Sequence, residues 1–352
     1  MTGGRHKSNT WIRIDPVFAP GIYFIKGENK MKKLISTLLA VSAIALTGCS
    51  KGIKVNPDKE KYVVGIAQFA QHEALDAATK GFKDKLGALL KEESREVGFV
   101  ETNSQGDPAL CPTVVSDLVA KDVDLIMANA TPVVSAAYSA TTYIPILGTS
   151  VTDYGVAINA TLTDGKTGAN ISGTSDLAPL DVQVNEMLKL LPEAKKVGIV
   201  YCSSEANSKF QVDEVSKLLK AKEITVNTHP FTDTNDLMSV CQKAASDNDA
   251  IYIPTDNTAA KSAPLINQVF EGAHIPVYAG EEGICKGAGI ATLTIDYYHL
   301  GEITAEMAKN VLLGKEDIKS YAIKYDEKPV KKYNKARCEA FGITVPSDYV
   351  EL

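Results

Sequence analysis

Short apolar runs that do not alternate with polar residues recur along this chain, each separated from the next by a stretch with helical spacing. Residues 62–68 (YVVGIAQ), 124–128 (DLIMA), 196–201 (KVGIVY) and 250–254 (AIYIP) are of this kind. A strand without alternation is buried on both faces, and that requires a parallel sheet covered by helices on both sides. Further strands are expected at 96–103, 144–147, 224–228 and 276–278. Apolar spacing predicts helices over 74–90, 111–121, 131–141, 181–191, 207–220, 237–245, 260–271 and 296–313, the last stopped by Gly314. The pattern starts afresh after residue 173. The expected fold is therefore α/β, with two doubly wound parallel-sheet lobes joined by a multi-crossover hinge. The polar, Gly- and Thr-rich segment 159–173 reads as one crossover. The expected division is 60–173 plus 284–316 for the first lobe and 174–283 plus 317–352 for the second.

The N-terminal region carries a different signal. Lys32 and Lys33 precede an uncharged apolar run of 13 residues, Leu34 to Leu46, which ends at Thr47-Gly48-Cys49. A bilayer-spanning helix needs about 20 apolar residues, so residues 31–48 read as a cleaved secretory signal. Leu46-Thr47-Gly48-Cys49 also matches the bacterial lipobox, which makes Cys49 the expected lipidation site and 49–59 the expected tether. Residues 1–30 show neither periodicity nor a motif. Back-translation of Gly27-Glu28-Asn29-Lys30 resembles a ribosome-binding site ahead of Met31, so this stretch is expected to be untranslated. Export and lipidation together place the protein at the extracytoplasmic face of the cell membrane.

With net charge −6 and no basic patch, a nucleic-acid partner is not expected. The six cysteines include no CxxC pair and no Cys/His cluster, which disfavours zinc. Setting Cys49 aside leaves five, an odd number that cannot all pair within one chain; mostly free thiols are expected. GxSxG, HExxH, P-loop and Rossmann GxGxxG motifs are all missing from the sequence, and neither an enzyme nor a cofactor is expected.

Open parallel sheets bind ligands beyond the carboxyl ends of their strands, and two such lobes share a cleft there. The candidate ligand-binding residues lie in those loops: Gln68, Phe69, Thr131, Thr149, Ser150, Asn207, Ser208, Asp256, Asn257 and Glu281. Thr131 precedes Pro132, as an N-cap before a proline at the first helical position would, and a helix start with free N–H groups suits a carboxylate. Asn207 and Ser208 open a helix in the second lobe and could donate to the same carboxylate. Asp256 could hold an α-ammonium group or close an Asx-turn, with Glu281 next in line. Gln68 and Phe69 could supply an amide and an aromatic wall. His72, at a helix start with no nucleophile placed beside it, reads as structural.

Eight ordered blocks then carry a family resemblance: GIAQFAQHEALDAATKGF (65–82), ANATP (128–132), SVTD (150–153), GTSDLAP (173–179), GIVYCSSEANS (198–208), AIYIPTDNT (250–258), IPVYAGEEG (275–283) and ATLTIDYYHLG (291–301). Across residues 60–350 the chain resembles the ABC-transporter substrate-binding lipoproteins of the periplasmic-binding-protein type I fold. Some members of that family bind aromatic amino acids. Tyr154, where many relatives carry proline, and Cys202-Ser203, in place of the commoner Asn-Pro, depart from the pattern. The resemblance implies a monomeric receptor that captures a small solute, most readily an aromatic or large apolar amino acid, and delivers it to ABC permease subunits. A surface sensor or adhesin built on the same lobes remains the alternative.

Overall fold

The computed structural model describes residues 52–352 apart from Glu327. The predicted signal segment, the lipobox and Cys49 lie outside the described residues. The first lobe is built by β1 (Lys61–Gln68), α1 (Glu73–Glu92), β2 (Glu96–Asn103), α2 (Cys111–Ala120), β3 (Leu125–Asn129), α3 (Thr131–Ala140), β4 (Ile146–Val151), α4 (Tyr154–Ile158) and β5 (Ile171–Ser175). Its strands pair in parallel in the order β5-β4-β3-β1-β2. Every residue of β3 is buried, as expected for a central strand covered on both sides. One face packs on Val115, Leu118, Val133 and Val134, the other on Phe82, Leu86, Leu90 and Val311.

The second lobe repeats the scheme with α5 (Leu180–Leu190), β6 (Lys196–Cys202), α6 (Ala206–Lys220), β7 (Thr225–Phe231), α7 (Leu237–Asp247), β8 (Ala250–Ile253), α8 (Asn257–Lys261), α9 (Ala263–Gly272), β9 (Val277–Ala279), α10 (Glu282–Gly287) and β10 (Ala291–Thr294). Here the parallel order is β10-β9-β8-β6-β7. The chain then returns: α11 (Tyr297–Leu312) packs on α1, and β11 (Lys324–Tyr325) pairs with β5. Finally β12 (Val330–Tyr333) runs antiparallel to β10, and α12 (Lys335–Ala340) and β13 (Val350–Glu351) finish the second lobe. Three crossovers therefore connect the lobes, at 176–179, at 295–296 and between β11 and β12.

Several expected boundaries shift. The segment 159–173 is not a crossover, because its end forms β5 on the edge of β4; the chain changes lobe only after Ser175. Residues 284–294, expected in the first lobe, belong to the second, since β10 hydrogen-bonds to β9 and β12. Residues 317–325 stay with the first lobe through β11. The single helix expected over 260–271 is two helices, α8 and α9. Pro264 sits in the first turn of α9, where its missing N–H is harmless, and it disfavours helical backbone before it. From Lys54 onward the expected tether is docked on the first lobe. The Lys54 N–H donates to the Tyr143 carbonyl at 2.6 Å, and the Lys59 ammonium pairs with the largely buried Asp124 at 2.5 Å. The five described cysteines are buried and unpaired. Among the described residues no helix is long and apolar enough to cross a membrane.

Candidate functional site

The C-terminal ends of the strands in both lobes converge, and the helices that start there meet. Helices α3 and α4 of the first lobe touch α6 of the second, and α10 touches α1. The lobes are also linked by side chains. His72 lies 3.2 Å (Nε2) from the Asn257 Oδ1, and the Lys261 ammonium donates to the Gln105 carbonyl at 3.0 Å. Lys286 pairs with Glu73 across the same divide. Because the Asn257 amide nitrogen already donates to Glu205 at 2.6 Å, its oxygen must accept from His72, which fixes the proton on Nε2. Burial holds the His72 pKa below its ordinary value, so the ring is neutral in this contact.

At these strand ends and helix starts lie buried polar atoms that have no hydrogen-bond partner among the described residues: Asn129 Oδ1, Thr131 Oγ1 and Ser150 Oγ from the first lobe, Asn207 Oδ1 from the second. Thr131 follows β3, Ser150 lies near the end of β4, and Asn207 is the second residue of α6. Each buried unpartnered group costs about 1–3 kcal/mol, so a cluster of them is stable only where something else fills their capacity. Two strained residues mark the same strand ends. Ala130 (φ 91°) and Ser150 (φ 55°) occupy the left-handed region that non-glycine residues seldom adopt.

The structure sorts the expected site residues by what their side chains already do. Thr131 is not the cap of α3: Ala130 holds that position, and the Thr131 hydroxyl is left free. Asn207 was expected to donate, but its amide nitrogen is taken by Glu205 (3.2 Å) and the Thr255 carbonyl (3.1 Å); only its oxygen, an acceptor, is open. Ser208 donates to Asp256 Oδ2 at 2.7 Å and has no free donor for a ligand. Asp256 caps α8 through Ala259 N–H (2.8 Å) and also accepts from Cys202 N–H (2.6 Å). Glu281 caps α10 through Gly283 N–H at 2.7 Å and through Ile284 N–H. Thr149 accepts from Thr174 at 3.2 Å, and Asn257 lies in the interlobe contact. Gln68 donates to Asp76 and accepts from Thr79, while Phe69 is fully buried in the first-lobe core.

One buried carboxylate went unnoticed in the sequence. Asp176, just after β5, accepts from the Tyr297 hydroxyl at 3.1 Å and from the Thr152 hydroxyl at 3.2 Å. Three buried carboxylates thus have raised pKa values, each chiefly through desolvation. Asp176 stands at about 6, Glu281 at about 7, and Asp256 at about 7 with the neighbouring Glu205 adding to the rise. Among the described residues no cluster of His, Cys, Asp and Glu could hold a metal ion.

The geometry is that of a two-lobed ligand trap, and comparison with known proteins says which kind. The family described as ABC transporter substrate binding protein matches residues 63–349. The chain belongs to that family. It is 34% identical over 298 residues to the tyrosine-binding protein of Clostridioides difficile (strain R20291), a match covering 81% of this chain and 86% of the relative. It is also similar to the structure of an ABC domain in complex with L-Trp from Streptococcus pneumonia, with 32% identity, TM-score 0.76, and coverage of 82% of this chain and 99% of that one. The ligand-free, open structure of a substrate binding protein with adhesive properties from Clostridium difficile matches at the same identity and coverage, but with TM-score 0.62. At equal identity, this substrate-binding protein is closer in shape to the ligand complex than to the open form, in keeping with the interlobe bonds described above.

Proposed function

We propose that this chain is the extracytoplasmic receptor of an ABC importer and that it captures an α-amino acid with an aromatic or large apolar side chain between its lobes. The observation that carries this reading is the set of unpartnered buried atoms, Thr131 Oγ1 and Ser150 Oγ on one lobe and Asn207 Oδ1 on the other. The Thr131 hydroxyl at the start of α3 and the Ser150 hydroxyl near the end of β4 suit a ligand carboxylate, and the Asn207 oxygen requires a ligand N–H or O–H. A ligand that bridges both lobes favours the closed state, because the open state offers only half of these contacts. The aromatic preference rests on the relatives, one named for tyrosine and one holding L-Trp. Permease subunits are the partner this mechanism requires, and binding proceeds without chemistry on the solute.

A thermal-shift panel of the twenty amino acids tests the reading. At a hundredfold excess over its dissociation constant a ligand selective for the native state adds about 2.7 kcal/mol of stability. Tyrosine, tryptophan or phenylalanine is expected to raise Tm, and no shift with any amino acid would sink the proposal.

Retention at the membrane is assigned to lipid on Cys49. Cys49→Ala is expected to move the protein into the soluble fraction, and a variant that still sediments with membranes would refute the anchor. The adhesive relative keeps a second use open; loss of amino-acid uptake on deletion would separate transport from adhesion.

A further inference from the structure

We propose that Asp176 is the residue that recognises the ligand's ammonium group, so that this receptor selects α-amino acids over the corresponding deaminated acids. The inference rests on the amino-acid reading above and names the group that enforces it. Asp176 opens the first crossover, and its N–H donates to the Val151 carbonyl at 3.2 Å. That bond places it beside the strand end that carries the unpartnered Ser150 hydroxyl. Its carboxylate is buried and, among the described residues, accepts hydrogen bonds from two neutral hydroxyls, Thr152 from the first lobe and Tyr297 at the start of α11. Tyr297 in turn lies beside Thr255 and Glu281 of the second lobe. Asp176 therefore sits where both lobes and the hinge meet.

Every other buried carboxylate at this junction is accounted for. Glu205 accepts from Asn207, Asn257 and Thr258, including two backbone N–H groups at 3.1 and 2.9 Å. Asp256 and Glu281 each accept two backbone N–H groups and cap a helix. Asp176 alone among these four has neither a backbone donor from another residue nor a cation, and a carboxylate can accept about four hydrogen bonds. A buried carboxylate left with capacity and no counter-charge is costly unless a cation arrives. A ligand ammonium is such a cation, with three donors to offer. Its arrival lowers the Asp176 pKa from about 6 and leaves the side chain ionised.

The experiment measures, by calorimetry, the affinities for L-tryptophan and for indole-3-propionate, which lacks only the ammonium, on the wild type and on Asp176→Asn. The wild type is expected to prefer tryptophan about ten- to hundredfold, and the preference is expected to collapse in the variant. A loss of hinge packing alone would weaken both ligands together and leave the ratio intact. An unchanged ratio in a variant that still binds tryptophan overturns the assignment and spares the amino-acid reading. A wild type that binds neither L-tryptophan nor L-tyrosine overturns both. Should the variant not fold, the wild-type ratio is read against pH. It is expected to fall as pH drops through about 6, where Asp176 takes up a proton. The groups facing it with their own titrations are Tyr297 and Tyr154, both pushed upward by burial, and Glu281 lies beyond Tyr297 with Asp256 deeper in the second lobe, each at about 7. No change of the ratio with pH would assign the ammonium elsewhere.

Discussion

Gly301→Ala is expected to lower the melting temperature by about 6–12 °C. Helices α1 and α11 approach so closely that a Cβ on Gly301 would lie 2.1 Å from the Ala78 carbonyl oxygen and 2.8 Å from the Phe82 nitrogen. The contact is reciprocal, for a Cβ on Gly81 would lie 2.1 Å from the Tyr298 carbonyl oxygen. These obstacles are backbone atoms in regular helices and cannot swing aside as a side chain would. Overpacking a core costs about 1–3 kcal/mol, and the upper end applies where two backbones must separate. Each kcal/mol lowers Tm by roughly 2–4 °C in a domain of a few hundred residues. Gly87 supplies the contrast within the same helix, since nothing lies within 4 Å of its Cβ position. Gly87→Ala is expected to stabilise by about 0.5–1 kcal/mol, through the backbone entropy that glycine loses in a helix. Scanning calorimetry of the two variants checks both. Equal melting of Gly301→Ala and the parent would mean that α11 does not pack on α1 in this way.

That helix pair explains why part of the fold was legible in the sequence and part was not. Apolar runs such as 196–201 and 250–254 announced their strands because burial on both faces leaves no polar positions. Strand β5 reads Ile-Ser-Gly-Thr-Ser and announced nothing. Its polar residues are tolerated inside because partners arrive from far along the chain. The Thr174 hydroxyl bonds to Thr304 of α11 at 2.8 Å, and Ser172 donates to the Tyr321 carbonyl at 2.8 Å. Gly173, at φ 144°, lies so near the Gly148 backbone that no side chain fits. Without β5 the expected crossover falls too early, at 159–173, and Asp176 is not among the expected site residues. The lobe of β10 was likewise decided at long range, by the open edge of β9.

In the candidate site, position was legible and occupancy was not. Strand-end reasoning put Thr131, Ser150, Asn207, Ser208 and Asp256 at the junction, because parallel α/β sheets expose those loops. Whether a side chain there is free depends on what its neighbours donate. Ser208 and Asp256 satisfy each other across 48 residues, whereas Thr131, expected to cap its own helix, does not. The cap position fell to Ala130 in a strained backbone conformation, which no local preference would favour.

Asn207 and Ser208, adjacent in the sequence and equivalent in the sequence reading, are therefore expected to behave differently. Asn207→Ala removes the open Oδ1 acceptor for a ligand N–H or O–H, and its loss should weaken binding of the aromatic amino acid that raises Tm in the thermal panel by about tenfold. The parent's stability should be nearly kept. The Thr255 carbonyl still accepts from Gln211 at 3.0 Å, and Glu205 still accepts from Asn257 and Thr258. Ser208→Ala takes away a hydroxyl that donates to the buried Asp256 carboxylate. That carboxylate is already held at about 7 by burial and by Glu205, so losing a donor raises its pKa further and destabilises its ionised form. A loss of about 1.5–3 kcal/mol is expected at a pH where Asp256 is charged. The loss should shrink as pH falls through about 7, because the protonated carboxyl needs that donor less. Denaturant unfolding at two pH values and calorimetric titration of both variants separate the roles. If Ser208→Ala loses affinity at unchanged stability while Asn207→Ala does the reverse, the ligand donor and acceptor roles of α6 are exchanged, and the site must be rebuilt around Ser208.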